Sequence, residues 1–173
     1  MFDPTAFDNM KVVVEGALYD LDICGEIVIT DRNDFMNMAK MARKFDVSFQ
    51  LPHKKVTAKI EMTSNLVNLG AELLPALLSE KNAGCHLNLQ FFTEHKDLNI
   101  DFEAVETILM KVWGSTRKIT QTIQYDPLKI EKKHTHVMTV EFDRLIGEDQ
   151  MDDLVEMAEF IITTLKKLSE KIN

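Results

Sequence analysis

The sequence predicts an α+β fold in which an antiparallel sheet carries helices mainly on one face and a long helix ends the chain. Three observations predict it. Several segments alternate apolar and polar residues with a period of two, which is typical of strands buried on one face. Other segments repeat apolar residues at spacings of three and four, which is typical of amphipathic helices. The last 25 residues carry the longest run of that helical spacing.

Seven elements are predicted between residues 10 and 93. They are strands over 10–20 and 23–30, a helix over 33–44, strands over 45–51 and 55–62, a helix over 63–80, and a strand over 85–93. The first two strands are rich in Val, Ile and Leu. The first helix rests on the spacing of Phe35, Met38 and Ala42, and the second is expected to be interrupted at Pro75.

The strand over 55–62 gives the sharpest prediction of side-chain burial. Its alternation predicts that one set of residues is buried and the other set exposed. The buried set is Val56, Ala58, Ile60 and Met62, and the exposed set is Lys55, Thr57 and Lys59.

The second half predicts a helix over 101–113, strands over 116–125 and 133–143, and a helix over 148–172. Residues 23–93 thus follow the β-α-β-β-α-β order of ferredoxin-like folds, and the second half repeats that pattern in part. The 173 residues suit one domain, residues 1–173, with two similar halves at about 10–93 and 94–173. The alternative architecture is two strand layers around a shared helix.

Composition excludes several classes of protein. Only six glycines and four prolines are present, so low-complexity classes and a glycine-rich phosphate loop are not expected. The net charge of −8 argues against nucleic acid as a partner. No stretch is apolar enough for a membrane span, and residues 1–4 do not resemble a signal peptide. Cys24 and Cys85 lie outside any C-x-x-C motif and are expected to be buried thiols in the cytoplasm, with no cofactor.

Basic residues cluster around the two predicted hairpins, within 36–60 and 117–133. Clustered ammonium and guanidinium groups attract anions, so an anionic small molecule or an acidic protein is a candidate ligand. The alternative is a solvated face without a ligand. The candidate binding residues are Lys54, Lys55, Lys59, Arg117, Lys118, Lys132 and Lys133.

His134 and His136 form the only candidate metal pair on a strand. Residues two apart on a strand point to the same face, so both imidazoles could approach one ion, although the sequence names no third ligand. The alternative is that they cap the apolar stripe of the same strand. A second set of possible ligands is the N-terminal carboxylates, Asp20, Asp22, Glu26, Asp31 and Asp34.

The final helix carries a seam of apolar residues at alternating spacings of three and four. The seam consists of Met151, Leu154, Ala158, Ile161, Leu165, Leu168 and Ile172. Its last three members extend beyond what a small sheet should cover, which predicts an interface with a second copy of the chain. The alternative cover is the chain's own segment from Phe2 to Phe7. Exposure of Met36 and Met41 would also favour an interface.

Residues Ile27–Arg32, followed by a helix and then a strand, are similar to the opening of small regulatory domains of the ACT type. That resemblance implies a bound small ligand, but the glycine that such domains carry after the first strand is absent here. We expect a non-enzymatic binding protein that forms a homodimer. The alternatives are a sensor domain that binds a small anion at the lysine-rich hairpins, and a small metal-dependent enzyme that uses His134, His136 or the N-terminal carboxylates.

Overall fold

A computed structural model describes residues 5–97, 99–129 and 133–172, which form four α-helices and one six-stranded sheet. The elements follow in chain order. They are α1 Ala6–Ile23, β1 Val28–Asn37, β2 Ala42–Gln50, β3 Thr57–Ser64, α2 Leu66–Leu73, β4 Cys85–His95, α3 Phe102–Trp113, β5 Lys118–Tyr125, β6 His134–Ile146 and α4 Met151–Lys171. None of these helices combines the length and the apolar character that crossing a membrane requires.

The sheet has the strand order β1-β2-β3-β4-β6-β5, and every neighbouring pair is antiparallel. This confirms the α+β class, the antiparallel pairing and the long C-terminal helix. The ferredoxin-like order is not confirmed, because β1 is followed by β2 and not by a helix. The strands form one sheet and not two layers, and strands from both halves of the sequence share it.

The strand register is as the alternation predicts. Val56, Ala58, Ile60 and Met62 are each at most 2% exposed, while Lys55 is exposed. Thr57 and Lys59 on the opposite face are half-buried. The same face of the sheet carries Cys85, Leu87, Leu89 and Phe91, all buried, and the buried residues of α1, α3 and α4 join them in one core.

The prediction of a strand over 10–20 is wrong, because these residues belong to α1. Three consecutive valines at 12–14 favour a strand, since β-branched side chains suit extended backbone. The deciding pattern begins earlier, at Phe7, and continues through Met10, Val14 and Leu18, which are the buried residues of the helix. Thr5 caps the helix by accepting a hydrogen bond from the backbone N–H of Asp8.

The prediction of a helix over 33–44 is also wrong, because these residues form the hairpin between β1 and β2. The backbone N–H of Lys40 donates to Asn37 Oδ1, and Met41 takes a positive φ of 49°, so the chain reverses at this point. Phe35 and Met38 share the helical spacing, yet both are exposed. Without this helix, neither the ACT-like order nor the β-α-β-β-α-β order of residues 23–93, which the second half was expected to repeat in part, is present.

Other elements of the same chain cover the apolar seam of α4. Leu165 and Leu168 are fully buried, at 0% exposure, because α4 packs against α1, α3 and β3. Leu165 and Leu168 were expected to need a second copy of the chain to cover them, and their burial within the chain removes that need. Ile172 is half-buried, and of the segment Phe2–Phe7 only residues 5–7 lie within the described chain, with Phe7 buried in the core.

Two glycines give a matched test of the fold. We expect Gly84→Ala to lower the free energy of unfolding by more than about 1 kcal/mol, since its φ of +152° suits glycine and a Cβ would lie 2.3 Å from the carbonyl oxygen of Ile146. Gly16→Ala, inside α1 with nothing within 4 Å, should raise it by roughly 0.5–1 kcal/mol. Urea unfolding measures both, and a Gly84→Ala protein as stable as the parent would contradict this packing.

Candidate functional site

A wide groove lies at the end of the sheet where the β2–β3 loop, the end of β4 and the β5–β6 loop meet. We call it the lysine groove. Its charged lining residues are Lys54, Lys55, Glu94, Lys96, Asp97, Lys129 and Lys133. Its remaining lining comes from the strand ends beside these loops and from the end of α4, with His95, His134, Ser169 and Ile172 among the residues.

Strand pairing brings the two basic loops to this end. Leu51 accepts a hydrogen bond from the N–H of Lys54, and His53 takes a positive φ of 59°, so the β2–β3 loop turns tightly and leaves Lys54 and Lys55 exposed. On the other side of β4, His95 pairs with His134 at the start of β6. The β5–β6 loop therefore ends beside β4 and places Lys129 and Lys133 on the groove.

The lysine groove has a net positive charge, although the chain as a whole is negatively charged. Among the residues that the structure describes, five lysines and two carboxylates line it, whereas the whole chain has a net charge of −8. One of the two carboxylates is already paired, since Lys133 Nζ lies 2.6 Å from Glu94 Oε2. A concave surface of one sign concentrates ions of the opposite sign, so the groove attracts anions despite the overall charge.

Two buried polar groups line the same groove. His134 is 7% exposed and Ser169 is 2% exposed. Neither His134 Nδ1 nor Ser169 Oγ has a hydrogen-bond partner among the described residues. Both atoms are closed off from solvent, so these two side chains border the groove without presenting the atoms to it.

His136 lies deeper, behind His95 and His134. The ring centroids of His95 and His136 are 6.2 Å apart, and Phe102 meets the His136 ring edge to face at 5.3 Å. Burial, with a smaller contribution from His95, lowers the pKa of His136 to about 4. Burial and the neighbouring His134 also lower the pKa of His95. The His136 ring is therefore neutral at pH 7.

The groove contains only some of the predicted binding residues. Lys54, Lys55 and Lys133 line it, while Lys132 lies outside the described residues. Three others lie elsewhere and have other contacts. Lys59 contacts the buried carboxylate of Asp46, Lys118 pairs with Glu141, and the Arg117 guanidinium lies over the ring of Phe142.

The candidate metal ligands do not assemble into a metal site within the described chain. His134 and His136 share a face of β6, as predicted, and both are buried. No group of three or more His, Cys, Asp or Glu side chains in residues 5–97, 99–129 and 133–172 is arranged to hold a metal ion. Of the N-terminal carboxylates, Asp22 accepts a hydrogen bond from the N–H of Ile29, and Asp34 pairs with Lys11.

The two cysteines differ in environment. Cys85 is buried, as predicted, and burial raises the pKa of its thiol to about 12, so the thiol stays protonated. The prediction that Cys24 is buried is wrong, because it follows the last residue of α1 and is exposed.

Sequence reasoning did not single out Lys96, His95 or Ser169. The pairing of His95 with His134 could have been found only from the register between β4 and β6, which are separated by α3 and β5. Comparison of the chain with protein-family models, curated proteins and solved structures finds no match.

Proposed function

We propose that this chain is a non-enzymatic binding protein, and that its ligand is an anion with two or more phosphate or carboxylate groups held in the lysine groove. The observation that carries the proposal is the convergence of five lysines from three separate segments on one groove of an acidic chain. Lysines gathered on one concave surface attract an anion that neutralises them.

The spacing of the lysines supports a ligand with more than one anionic group. The β2–β3 and β5–β6 loops lie on opposite sides of β4, three strand spacings apart, which is roughly 14 Å. A ligand with several anionic groups neutralises more of the lysines on the two loops than a single phosphate does. A ligand with several phosphates or carboxylates can contact Lys54 and Lys55 at one end and Lys129 and Lys133 at the other.

The groove favours binding over bond-making chemistry, since its charged groups sit on exposed loops rather than against a fixed nucleophile. The thiol of Cys85, with its pKa of about 12, is a packing group and not a nucleophile. We further propose that the protein works in the cytoplasm, where the two cysteines remain free thiols.

Calorimetric titration with inorganic tripolyphosphate, orthophosphate and citrate tests the proposal. We expect tripolyphosphate and citrate to bind more tightly than orthophosphate, because each spans more of the groove. Lys54→Gln/Lys55→Gln should weaken tripolyphosphate binding by about tenfold or more, since each charged hydrogen bond contributes roughly 1.5–3 kcal/mol. Added salt should weaken binding as well.

The matched control is Lys40→Gln/Lys111→Gln, which removes the same charge from exposed lysines away from the groove. It should bind tripolyphosphate within about twofold of the parent protein, because long-range charge contributes little at physiological salt. Equal losses in both double variants, or no binding of any of the three anions by the parent, would reject the proposal.

A further inference from the structure

A second surface lies at the opposite end of the sheet and is apolar. It consists of exposed residues of α2 and of the segment that follows it, and we call it the leucine face. Its members and their exposed fractions are Leu66 58%, Val67 55%, Leu73 58%, Leu74 51%, Leu77 78% and Leu78 40%.

Polar contacts fix the orientation of α2 and turn its leucines outward. The helix buries Asn68 and Ala71. Asn68 Nδ2 donates to the carbonyl oxygen of Asn82 at 2.9 Å, and Glu72 pairs with Arg43 at 2.9 Å. A rotation that buried the leucines would break both contacts and leave their polar groups unmet. The exposure of the leucines is thus built into the fold.

The segment after α2 folds back and extends this face. Pro75 ends the helix, and Leu78 returns to contact Gly70, where an added Cβ would lie 2.9 Å from Leu78 Cδ1. Gly70 therefore lets the helix and the following segment approach closely. The leucines before and after Pro75 form one surface as a result.

The tip of the β1–β2 hairpin adds a neighbouring apolar surface, which we call the methionine hairpin. Its members and exposed fractions are Met36 43%, Met38 72% and Met41 36%. Met36 lies opposite Arg43 in the pairing of β1 with β2, and Arg43 pairs with Glu72 of α2, so the methionine hairpin lies beside α2 at this end of the sheet. Phe35 lies on the other face of the sheet, opposite Lys44. Exposed methionines adapt to the shape of a partner, and exposure of Met36 and Met41 is what the sequence predicts for an interface.

The combined area is that of a protein interface. At roughly 150–250 Å² for a fully exposed large side chain, the leucine face and methionine hairpin together expose on the order of 1,000 Å². The largest apolar patch on a typical monomer covers about 300–600 Å². A standard protein interface buries about 800 Å² on each partner, so this surface alone meets that requirement.

We propose that a second copy of this chain covers the leucine face and the methionine hairpin about a two-fold axis. A two-fold interface needs only one patch that complements itself, and apolar side chains complement their own kind. The one charged residue of α2, Glu72, is 2% exposed and paired with Arg43, so the face offers little charge to select a different partner.

Sedimentation velocity at micromolar concentration tests this inference. The parent protein should sediment as a dimer of about 40 kDa, twice the chain mass of 19.9 kDa. Leu66→Glu/Leu77→Glu should be a monomer with an unchanged circular dichroism spectrum, because both side chains are exposed and a Glu at the first residue of α2 suits the helix dipole. If the double variant fails to fold, Leu77→Glu alone carries the same test.

The matched control is Ile23→Glu/Leu128→Glu, which adds the same charge at side chains that are 83% and 91% exposed elsewhere. It should remain a dimer. A monomeric parent protein would overturn the inference and leave the face to a different partner. A dimer that survives Leu66→Glu/Leu77→Glu, or one that the control dissociates equally, would also overturn it. Neither result bears on the lysine groove, which lies at the other end of the sheet.

Discussion

Arg43→Met is expected to lower the free energy of unfolding by about 3–5 kcal/mol, because it leaves a buried carboxylate without its partner. Arg43 Nη2 lies 2.9 Å from Glu72 Oε2, and the side chain of Glu72 is 2% exposed. The remaining Glu72 must then either stay charged without a counter-ion or take up a proton. Both alternatives cost stability at pH 7.

Arg43 also joins elements that are distant in the sequence. Its Nη1 donates to Thr5 Oγ1 at 2.7 Å, and its Nη2 donates to Ser64 Oγ at 3.0 Å. Its guanidinium lies 4.5 Å from the centroid of the Phe7 ring. One side chain on β2 thus contacts the start of α1, the end of β3 and α2, so its loss should loosen α2 first.

Urea unfolding of three variants separates the buried ion pair from the loss of a large side chain. Arg117→Met removes an arginine that also lies over an aromatic ring, that of Phe142 at 4.6 Å, and should cost about 0.5–1 kcal/mol. Arg43→Met/Glu72→Leu removes both charges and should recover most of the loss. Equal costs for Arg43→Met and Arg117→Met would contradict the assignment.

The sequence predicted strands well where one face is buried against apolar neighbours. The alternation over 55–62 and 85–93 matches β3 and β4, because each buried position there contacts other apolar side chains. Apolar spacing does not identify the buried side of α2, where Asn68 and Glu72 turn inward. Apolar periodicity identifies the buried side of a helix only when that side is held by apolar contacts, and here polar partners from β2 and residue 82 hold it.

Only part of the lysine groove could be predicted from the sequence, and the reason is geometric. The basic residues within 117–133 are close in the sequence, but they span the whole of β5. Eight residues of strand extend roughly 26 Å, so Arg117 and Lys118 lie at the far end of the sheet from Lys133. His95 and Ser169 reach the groove from β4 and α4, and no local pattern links them to the lysines.

The second large effect is a loss of stability in acid, caused by the buried side chain of His136. The pKa of His136, about 4 in the folded chain, returns to its ordinary value near 6.5 on unfolding. Between these two values the unfolded chain binds a proton that the folded chain does not, so the free energy of unfolding falls as the pH falls from 6.5 to 4. Burial is the main cause of the shift, which corresponds to about 3 kcal/mol of stability lost across this window. The lowered pKa of His95 acts in the same direction.

The neutral form of His136 is fixed by its neighbours. Gln121 Nε2 donates to the carbonyl oxygen of Phe102 at 2.9 Å, which turns Gln121 Oε1 toward His136 Nε2 at 3.0 Å. That nitrogen therefore carries the ring's proton and donates it. A second proton would have to sit on Nδ1, which is buried without a partner in the described chain and faces no carboxylate that could stabilise the charge.

His136→Leu should remove most of this acid sensitivity, because a leucine fills the site and takes up no proton. Gln121 is half-buried and can bind water in place of the imidazole, so stability at pH 7 should change by less than about 1.5 kcal/mol. The matched control is His86→Gln on the exposed side of β4, which should keep the acid sensitivity of the parent protein. Urea unfolding at several pH values between 7 and 4 measures all three. If His136→Leu loses stability with acid as steeply as the parent, His136 is not buried in its neutral form, and the packing of β6 against α3 differs from the one described.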